Sequence, residues 1–258
     1  MASFDPRALE LTVRAGEVLL KSGAEIFRVQ ETMLRIAAAY RVEPFHVYVI
    51  SNGIFCCVDG EEGRHISEIR HAPLSPVHLG RVAAVNALSR GIVSGQYTLG
   101  DALQEVERIE SMPFKPAWAQ VAASGVGSAG FGYLFGASLH DAAASFVAGA
   151  LLQLFLFFLA RHRVSKILQN LLGSAAVTLV CILCCLLFPK LTLSSTIIGA
   201  ILPLVPGVPL TTAVRDFFNS DYLTGTIRLI DAVLVASCIA IGVGFMLKLY
   251  SLFPGGLL

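Results

Sequence analysis

Charged residues are scarce in this sequence, and the scarcity excludes most soluble folds. Only 14% of its 258 residues are Asp, Glu, Lys or Arg, while 55% are hydrophobic and the mean hydropathy is +0.71. These values are too apolar for a soluble domain of this length, so the sequence predicts a membrane protein that uses the lipid bilayer as its solvent. The net charge of +1 gives no basic field, and we expect no nucleic-acid partner.

The sequence also lacks the motifs that usually carry catalysis or cofactor binding. It has neither a G-x-S-x-G nucleophile motif nor a P-loop, and its histidines are scattered singly. Gly125 to Gly130 matches a dinucleotide fingerprint only in its letters, because no strand precedes it. Cys181, Cys184 and Cys185 have no His, Asp or Glu nearby and are predicted to be small apolar packing residues. We expect no catalytic residue, no cofactor and no metal, and therefore not an enzyme.

The charges that are present divide the chain into two parts. The first 116 residues hold 12 of the 19 Lys and Arg and 14 of the 18 Asp and Glu. The sequence thus predicts a small α+β domain over residues 1–112 and a transmembrane domain over residues 113–258, with Pro113 and Pro116 at the boundary. Acidic residues interrupt the first twenty positions, which excludes a secretory signal and favours a cytosolic first domain.

The first domain is predicted to contain four helices and a three-stranded antiparallel meander. Apolar residues recur at helical spacing over residues 7–22 and 24–40, and again after Ser75 and Thr98. β-branched and aromatic residues from residue 45 onward, with a turn signal at 51–53, indicate the strands. The third helix is predicted to carry Leu79, Val82, Asn86 and Ile92, and the fourth to bury Leu99, Leu103, Val106 and Ile109.

One polar helix face in this domain has two interpretations. Glu25, Arg28, Glu31 and Arg35 recur at spacings of three or four on the second helix. The first interpretation is a solvated surface stabilised by ion pairs within the helix. The second is a face that docks a partner or acts as a cytosolic gate.

Five apolar segments are predicted to cross the bilayer. They are residues 117–137, 142–160, 167–188, 191–214 and a segment after 221 whose uncharged part is 232–247. If the N-terminus is cytosolic, seven basic residues lie inside (Arg108, Lys115, Arg161, Arg163, Lys166, Arg215 and Arg228) and two outside (Lys190 and Lys248). That distribution predicts a multi-pass protein of the cell inner (cytoplasmic) membrane, with its N-terminus inside and its C-terminus outside.

Small residues at every fourth position mark two packing seams on these segments. The first seam is Ser124, Ser128, Gly132 and Gly136, and the second is Ala236, Ala240 and Gly244. Small side chains let helices approach closely, although spacing does not decide whether the neighbour belongs to the same chain.

The fourth segment is predicted to be a broken helix. Pro203, Pro206 and Pro209 each lack the backbone donor that a helix interior needs, and Gly207 adds a position without a side chain. In hydrocarbon such a break is tolerated where protein or a water-filled cavity satisfies the freed backbone groups, and transporters bind their cargo at such breaks. The alternative is a proline kink that only shapes packing.

Several stretches together resemble the threonine/serine exporter family. They are Ser22-Gly-Ala-Glu-Ile-Phe-Arg28, Ile50-Ser-Asn-Gly53, Pro116-Ala-Trp118, Leu204-Val-Pro-Gly-Val-Pro-Leu210 and Asp221-Tyr-Leu-Thr-Gly-Thr-Ile-Arg228. They occur in the family's order over nearly the whole chain. Fused members have about ten spans behind one cytosolic domain, so this chain resembles the split, YjjP-type subunit, whose companion is a YjjB-type membrane protein.

The resemblance implies a secondary transporter that exports small carboxylates, either threonine and serine or a dicarboxylate such as succinate. The substrate pathway would then include Pro206, Gly207, Pro209, Thr211, Thr212 and Arg215. A half-helix starting near Pro209 would direct its amides and positive dipole end at a carboxylate. The candidates for proton coupling are Asp216, Asp221 and Asp231, whereas Asp141 is predicted to cap a helix.

Other assignments remain open from the sequence. The chain could be an accessory or assembly subunit whose cytosolic domain recruits or gates a partner, without a substrate site of its own. It could also function as a homo-oligomer, because one five-span half that starts inside and ends outside needs a second half to complete an inverted repeat.

Overall fold

The computed structural model describes residues 5–59, 65–72 and 77–252. The chain folds as two compact units, Met1–Phe114 and Lys115–Leu258, and each has its own apolar core. The boundary predicted from the sequence lies two residues earlier than this division.

The described part of the first unit contains four helices and three strands. They are α1 (Pro6–Lys21), α2 (Ile26–Ala39), β1 (Phe45–Ile50), β2 (Gly53–Asp59), β3 (His65–His71), α3 (Leu79–Val93) and α4 (Leu99–Glu110). The described part of the second unit is helical. Its elements are α5 (Ala117–Leu134), α6 (Leu139–Arg161), α7 (Lys166–Leu187), α8 (Leu193–Ala200), a 3₁₀ turn (Leu202–Leu204), α9 (Gly207–Phe218) and α10 (Tyr222–Ser251).

Helix α1 is the central element of the first unit. It begins at Asp5, whose carboxylate accepts a hydrogen bond from the Arg7 amide at 2.9 Å, and Pro6 occupies the first helical position, where no amide is needed. Its apolar residues face α2, α3 and α4, and Leu11, Val13 and Leu19 are fully buried. The helix predicted over residues 7–22 is confirmed to within one residue at each end.

The meander is antiparallel in the order β1-β2-β3. Ile50 pairs with Gly53 across a two-residue turn, as the turn signal at residues 51–53 predicts. One face of the sheet buries Val49, Ile54 and Val58, which alternate with more exposed residues as expected for a half-buried sheet.

All four residues predicted for the third helix lie on α3, but not all of them are buried. Leu79 is 73% exposed, because α3 begins there and its first turn lies outside the core. The helix buries Val85, Leu88 and Ile92. Its predicted start at Ser75 lies outside the described residues, and the imidazole of His78 caps the observed start by accepting a hydrogen bond from the Arg81 amide.

Three helices of the second unit, α6, α7 and α10, are long and apolar enough to cross a membrane. The pair formed by α8 with its 3₁₀ turn and by α9 also passes this criterion and is bent by 63°. Among the described residues the structure thus offers three spanning helices, or four if the bent pair is one span. The first predicted span, residues 117–137, corresponds to α5, which has 18 residues rich in Gly, Ala and Ser and is not among these helices.

The first small-residue seam is internal to the chain. Ser124 on α5 donates a hydrogen bond of 2.8 Å to the Gly149 carbonyl on α6. Gly132 approaches α8, where a Cβ added to it would lie 3.3 Å from the Gly199 Cα. Gly136 lies beyond the end of α5 and does not take part. Close packing of α5 against α6 and α8 follows from the absence of large side chains on this face.

The second seam is exposed. Ala236, Ala240 and Gly244 lie on a side of α10 that the described chain leaves uncovered. The buried face of α10 is instead Ala232, Val235, Ile239 and Gly242. Spacing correctly identified a smooth helix face but could not identify its neighbour.

We expect Gly242→Ala to destabilise the protein and Gly244→Ala to leave it unchanged. A Cβ at Gly242 would lie 2.6 Å from the Leu171 carbonyl oxygen of α7 and would overlap the Ser174 hydroxyl, whereas nothing lies within 4 Å of a Cβ at Gly244. Overpacking of this kind typically costs about 1–3 kcal/mol. Thermal unfolding of the two purified variants would measure the difference, and equal melting temperatures would contradict the packing described for α7 and α10.

Candidate functional site

The predicted helix break is present, and its position follows from the three prolines. After α8 the backbone forms the 3₁₀ turn, becomes extended at Val205 and starts α9 at Gly207 with Pro206 as the N-cap residue. Pro203 lies within the 3₁₀ turn and Pro209 in the first turn of α9, two places where a missing amide costs no helical hydrogen bond. The prolines therefore define where the chain can bend.

The start of α9 leaves a backbone donor available. The Gly207 amide donates to the Val205 carbonyl at 2.8 Å and the Leu210 amide to the Pro206 carbonyl at 3.1 Å. Between them, the Val208 amide has no hydrogen-bond acceptor within the described part of the chain. Such first-turn amides carry the partial positive charge of a helix N-terminus.

The surroundings of the break are open. Apart from its chain neighbours and the backbone of its own helix, no atom of the described residues lies within 4 Å of a Cβ built at Gly207. A groove of 410 Å³ runs between the break, at Val205 and Pro206, and the exposed small residues Ala240 and Gly244 of α10. The break and the second seam therefore border the same apolar groove.

Thr211 and Thr212 use their hydroxyl protons within their own helix. Thr211 Oγ1 donates to the Gly207 carbonyl at 3.0 Å, and Thr212 Oγ1 donates to the Val208 carbonyl at 2.8 Å. Back-bonding to the preceding turn is the usual arrangement for a hydroxyl inside a helix. In this conformation the two hydroxyl protons are used within α9, and the hydroxyl oxygens keep their lone pairs for another donor.

Arg215 and Asp216 are adjacent in sequence but have different environments. Arg215 is exposed on α9, whereas Asp216 is buried and its carboxylate lies 3.0 Å from the Arg228 guanidinium on α10. Only 4% of the Asp216 side chain and 18% of the Arg228 side chain are accessible. This buried ion pair joins the end of α9 to the first turns of α10.

The other two acidic candidates also have partners. Asp221 is the N-cap residue of α10 and accepts a hydrogen bond of 3.1 Å from the Thr224 amide. Asp231 forms an ion pair of 2.7 Å with Lys166 at the start of α7, and both side chains are largely accessible. The three carboxylates thus have three distinct neighbours.

The polar face of α2 has the features of a solvated surface. Arg28 pairs at 2.9 Å with Glu25, the N-cap residue of α2, and Arg35 pairs at 2.6 Å with Glu31 one turn earlier in the helix. These contacts support the first interpretation of the face, in which the charges stabilise the helix.

Elsewhere in the same unit, burial raises the pKa of the Cys56 thiol to about 11, so this cysteine is protonated at neutral pH.

Asp141 is a buried carboxylate whose full role sequence reasoning missed. It forms the predicted cap with Ser138, and the two residues make a reciprocal capping box at the start of α6. Its other oxygen accepts a hydrogen bond of 2.7 Å from the Thr192 amide, the residue that precedes α8. The capping spacing was visible in the sequence, but the contact 51 residues further on was not. Asp141 therefore fixes the start of α8, and with it the first half of the bent pair, to α6.

Metal binding finds no support in the described residues, where no group of three or more His, Cys, Asp or Glu side chains could hold an ion. All six cysteines are free thiols.

The second unit contains three apolar helices of spanning length and one bent helix pair. This arrangement is that of a multi-pass α-helical membrane protein with a broken helix.

Comparison with known proteins identifies the family. The family model ThrE, described as "Putative threonine/serine exporter", matches residues 10–250, and the chain belongs to this family. The family resemblance found in the sequence motifs is thereby confirmed. The description of this family indicates a transport protein located in a membrane.

A similar curated protein is the "Probable threonine/serine exporter" of Mycobacterium tuberculosis. It is 22% identical over 244 residues, which cover 94% of this chain and 46% of the relative. The chain therefore spans about half the length of that relative. No solved structure matches the chain.

Proposed function

We propose that this chain is a subunit of a secondary transporter that exports small carboxylate metabolites across the cell inner membrane. The cargo would be threonine and serine or a succinate-like dicarboxylate. The observation that carries the proposal is the 63° break at Pro206 within an apolar helix pair, since interrupted helices in membranes are characteristic of substrate and ion sites. Membership of an exporter family supports the same function.

The start of α9 is the proposed contact for the cargo carboxylate. The Val208 amide and the positive end of the helix dipole favour an anion there. Pro206 and Pro209 shape this end, and Gly207 leaves space beside it.

Thr211, Thr212 and Arg215 are proposed as contacts further along α9. Arg215 lies eight residues after Gly207, which is about 12 Å along a helix axis. A molecule as small as threonine or succinate cannot contact both ends at once, so Arg215 would receive the carboxylate at a different stage of passage. The threonine lone pairs suit the ammonium group of an amino acid, which distinguishes threonine or serine from a dicarboxylate.

For proton coupling we favour Asp231 over Asp216 and Asp221. Coupling requires a carboxylate that can exchange its ion pair for a proton, and the Asp231–Lys166 pair is the accessible one. Asp216 is held in a buried pair and Asp221 caps α10, so both are better suited to structural roles.

A second half is proposed to complete the transport pathway. The curated relative is about twice as long as the matched region, which supports a YjjB-type membrane protein, or a second copy of this chain, as the partner. With α5 as the first of five spans, the N-terminal domain would be cytosolic and the C-terminus outside, as the basic residues favour. The groove beside the break is open on the side of α10 that the described chain leaves uncovered.

Efflux measurements test this proposal. Cells carrying this chain alone, the YjjB-type companion alone, or both would be loaded with radiolabelled succinate, threonine or serine, with membrane expression matched. We expect efflux of one cargo class only when both proteins are present. Full efflux with this chain alone would show that the partner is a second copy of this chain rather than the YjjB-type companion. Full efflux with the companion alone would make this chain an accessory subunit and refute its role in the pathway.

A further inference from the structure

A second cavity in the transmembrane unit lies apart from the helix break. Its volume is 590 Å³, and it is bounded by the first turns of α6, the end of α7 and the turn that follows α7. The lining includes Ala143 and Val147 of α6, Phe188 after α7, and the two residues His140 and Lys190. Specific ligand sites commonly have this size, with mostly apolar walls and a few polar groups.

The cavity lies at one end of the two spanning helices α6 and α7. Helices α6 and α7 both qualify as membrane spans and are consecutive, so the start of α6 and the end of α7 lie at the same end of the bundle. The ends of spanning helices lie where the hydrocarbon layer meets the lipid headgroups. The cavity therefore extends from the headgroup level into the apolar layer.

The walls of the cavity favour an acyl chain over a hydrophilic cargo. Apart from His140 and Lys190, all lining side chains are apolar, among them Ala144, Cys184 and Leu191. A free dicarboxylate or amino acid would lose its hydration there without gaining hydrogen bonds. A hydrocarbon chain gains free energy with each methylene that it buries.

The polar end of the cavity carries the exposed Lys190 beside His140. Neither Lys190 nor His140 makes a hydrogen bond or ion pair with any described residue. Asp141 is next to His140 in sequence, but it is 2% exposed and its oxygens accept hydrogen bonds from Ser138, Thr192 and Thr196. The Asp141 carboxylate is thus enclosed by its own donors, and an anionic group at the cavity mouth would meet the exposed Lys190 ammonium group.

We propose that this cavity binds one anionic phospholipid, with an acyl chain between α6 and α7 and the headgroup phosphate at Lys190 and His140. The apolar walls at membrane depth complement the acyl chain of such a ligand, and the basic group at headgroup level complements its phosphate. The site is independent of the cargo and of the transport mechanism proposed above.

The test uses the purified full-length chain in detergent with three probes. They are phosphatidylglycerol, phosphatidylethanolamine with the same acyl chains, and glycerol phosphate as a headgroup without chains. Native mass spectrometry would count retained lipid, and thermal unfolding would report stabilisation. We expect one retained phosphatidylglycerol with a raised melting temperature, weaker retention of phosphatidylethanolamine, and no effect of glycerol phosphate.

Two variants and one control locate the site. Lys190→Gln is expected to weaken phosphatidylglycerol binding about fivefold, the usual effect of one basic residue at an anionic lipid surface. Ala143→Trp should fill the cavity and reduce binding of both lipids; Ala143 is exposed, so the fold should tolerate the change. Lys248→Gln is the control, since Lys248 also lies near the end of a spanning helix but does not line the cavity.

Three results would overturn the proposal. They are equal retention of the two lipids by the unaltered chain, an equal loss of phosphatidylglycerol in Lys190→Gln and Lys248→Gln, and stabilisation by glycerol phosphate that matches that of the lipid. The last result would indicate a site for free anions. If Ala143→Trp instead left lipid binding unchanged and abolished copurification of a companion protein, the cavity would be a protein interface.

Discussion

Replacement of Gly207 by leucine is expected to abolish efflux while the protein still folds and reaches the membrane. Nothing lies within 4 Å of a Cβ at this position, so the larger side chain meets no atom of the described chain. It would instead occupy the space beside the Val208 amide, where the cargo carboxylate is proposed to bind. Exclusion of cargo from a site of this kind should reduce efflux by more than about tenfold, since a binding loss of 1.4 kcal/mol already corresponds to a factor of ten.

Gly130→Leu provides the matched control for this experiment. Gly130 is an exposed glycine on α5, and a Cβ there also has no neighbour within 4 Å. Efflux, membrane expression and melting temperature would be compared for both variants in the presence of the companion. Equal efflux from the two variants would show that the break is a packing kink. A lowered melting temperature of Gly207→Leu alone would show that the open space is needed for folding.

The position of the break could be predicted because its cause is local. A proline cannot donate a backbone hydrogen bond wherever it lies, and three of them within seven residues leave a helix no other place to bend. The turn of the meander and the cap at the start of α6 were predictable for the same reason, since capping residues and turn residues act on their immediate neighbours. In each case the physical cause and its structural effect lie within a few residues.

Contacts between distant residues were not predictable from periodicity. The spacing of Ala236, Ala240 and Gly244 identifies a smooth face of α10, yet the neighbour that α10 actually meets is approached at Gly242. Asp141 was predicted as a cap, and nothing in its sequence neighbourhood indicates the amide of Thr192 as its second partner. Helical periodicity specifies which residues share a face, whereas tertiary packing decides which face is covered.

The acidic candidates illustrate the same limit for charge. In the sequence, Arg215 is a candidate for the substrate pathway and Asp216 a candidate for proton coupling, and both directly follow the proline-rich stretch. The structure gives Asp216 a buried partner, Arg228, twelve residues further on across the turn between α9 and α10. Asp231 has an accessible partner on another helix, Lys166. Burial, which a single sequence does not report, therefore distinguishes Asp216 in its buried pair from Asp231, the accessible candidate for coupling.

We expect Asp216→Ala to be strongly destabilising and Asp231→Ala to be nearly neutral for folding. Removing Asp216 leaves the Arg228 guanidinium, 18% accessible, without its carboxylate partner, and an uncompensated buried charge typically costs about 3–5 kcal/mol. The Asp231–Lys166 pair has side-chain accessibilities of 40% and 63%, and exposed pairs of this kind contribute less than about 1 kcal/mol. Thermal and denaturant-induced unfolding of the purified variants would measure both effects.

A double variant distinguishes the lost ion pair from lost packing. In Asp216→Ala/Arg228→Leu the stranded charge is removed as well, so much of the stability should return. If Asp216→Ala proved no more harmful than Asp231→Ala, the ion pair would not be the contact that holds α9 to α10. If the double variant were as unstable as the single one, packing around Asp216 rather than charge would be responsible.

The same two carboxylates should affect transport in different ways. Asp231→Asn keeps the size of the side chain and should preserve the melting temperature, but it removes the group proposed to exchange Lys166 for a proton. Efflux driven by a proton gradient should then fall, while exchange of labelled for unlabelled cargo, which needs no net proton movement, should continue. Asp216→Asn should lower both activities in proportion to the amount of folded protein. An unchanged response of Asp231→Asn to the proton gradient would remove this residue from the coupling mechanism and leave the Asp231–Lys166 pair as a contact between α7 and α10.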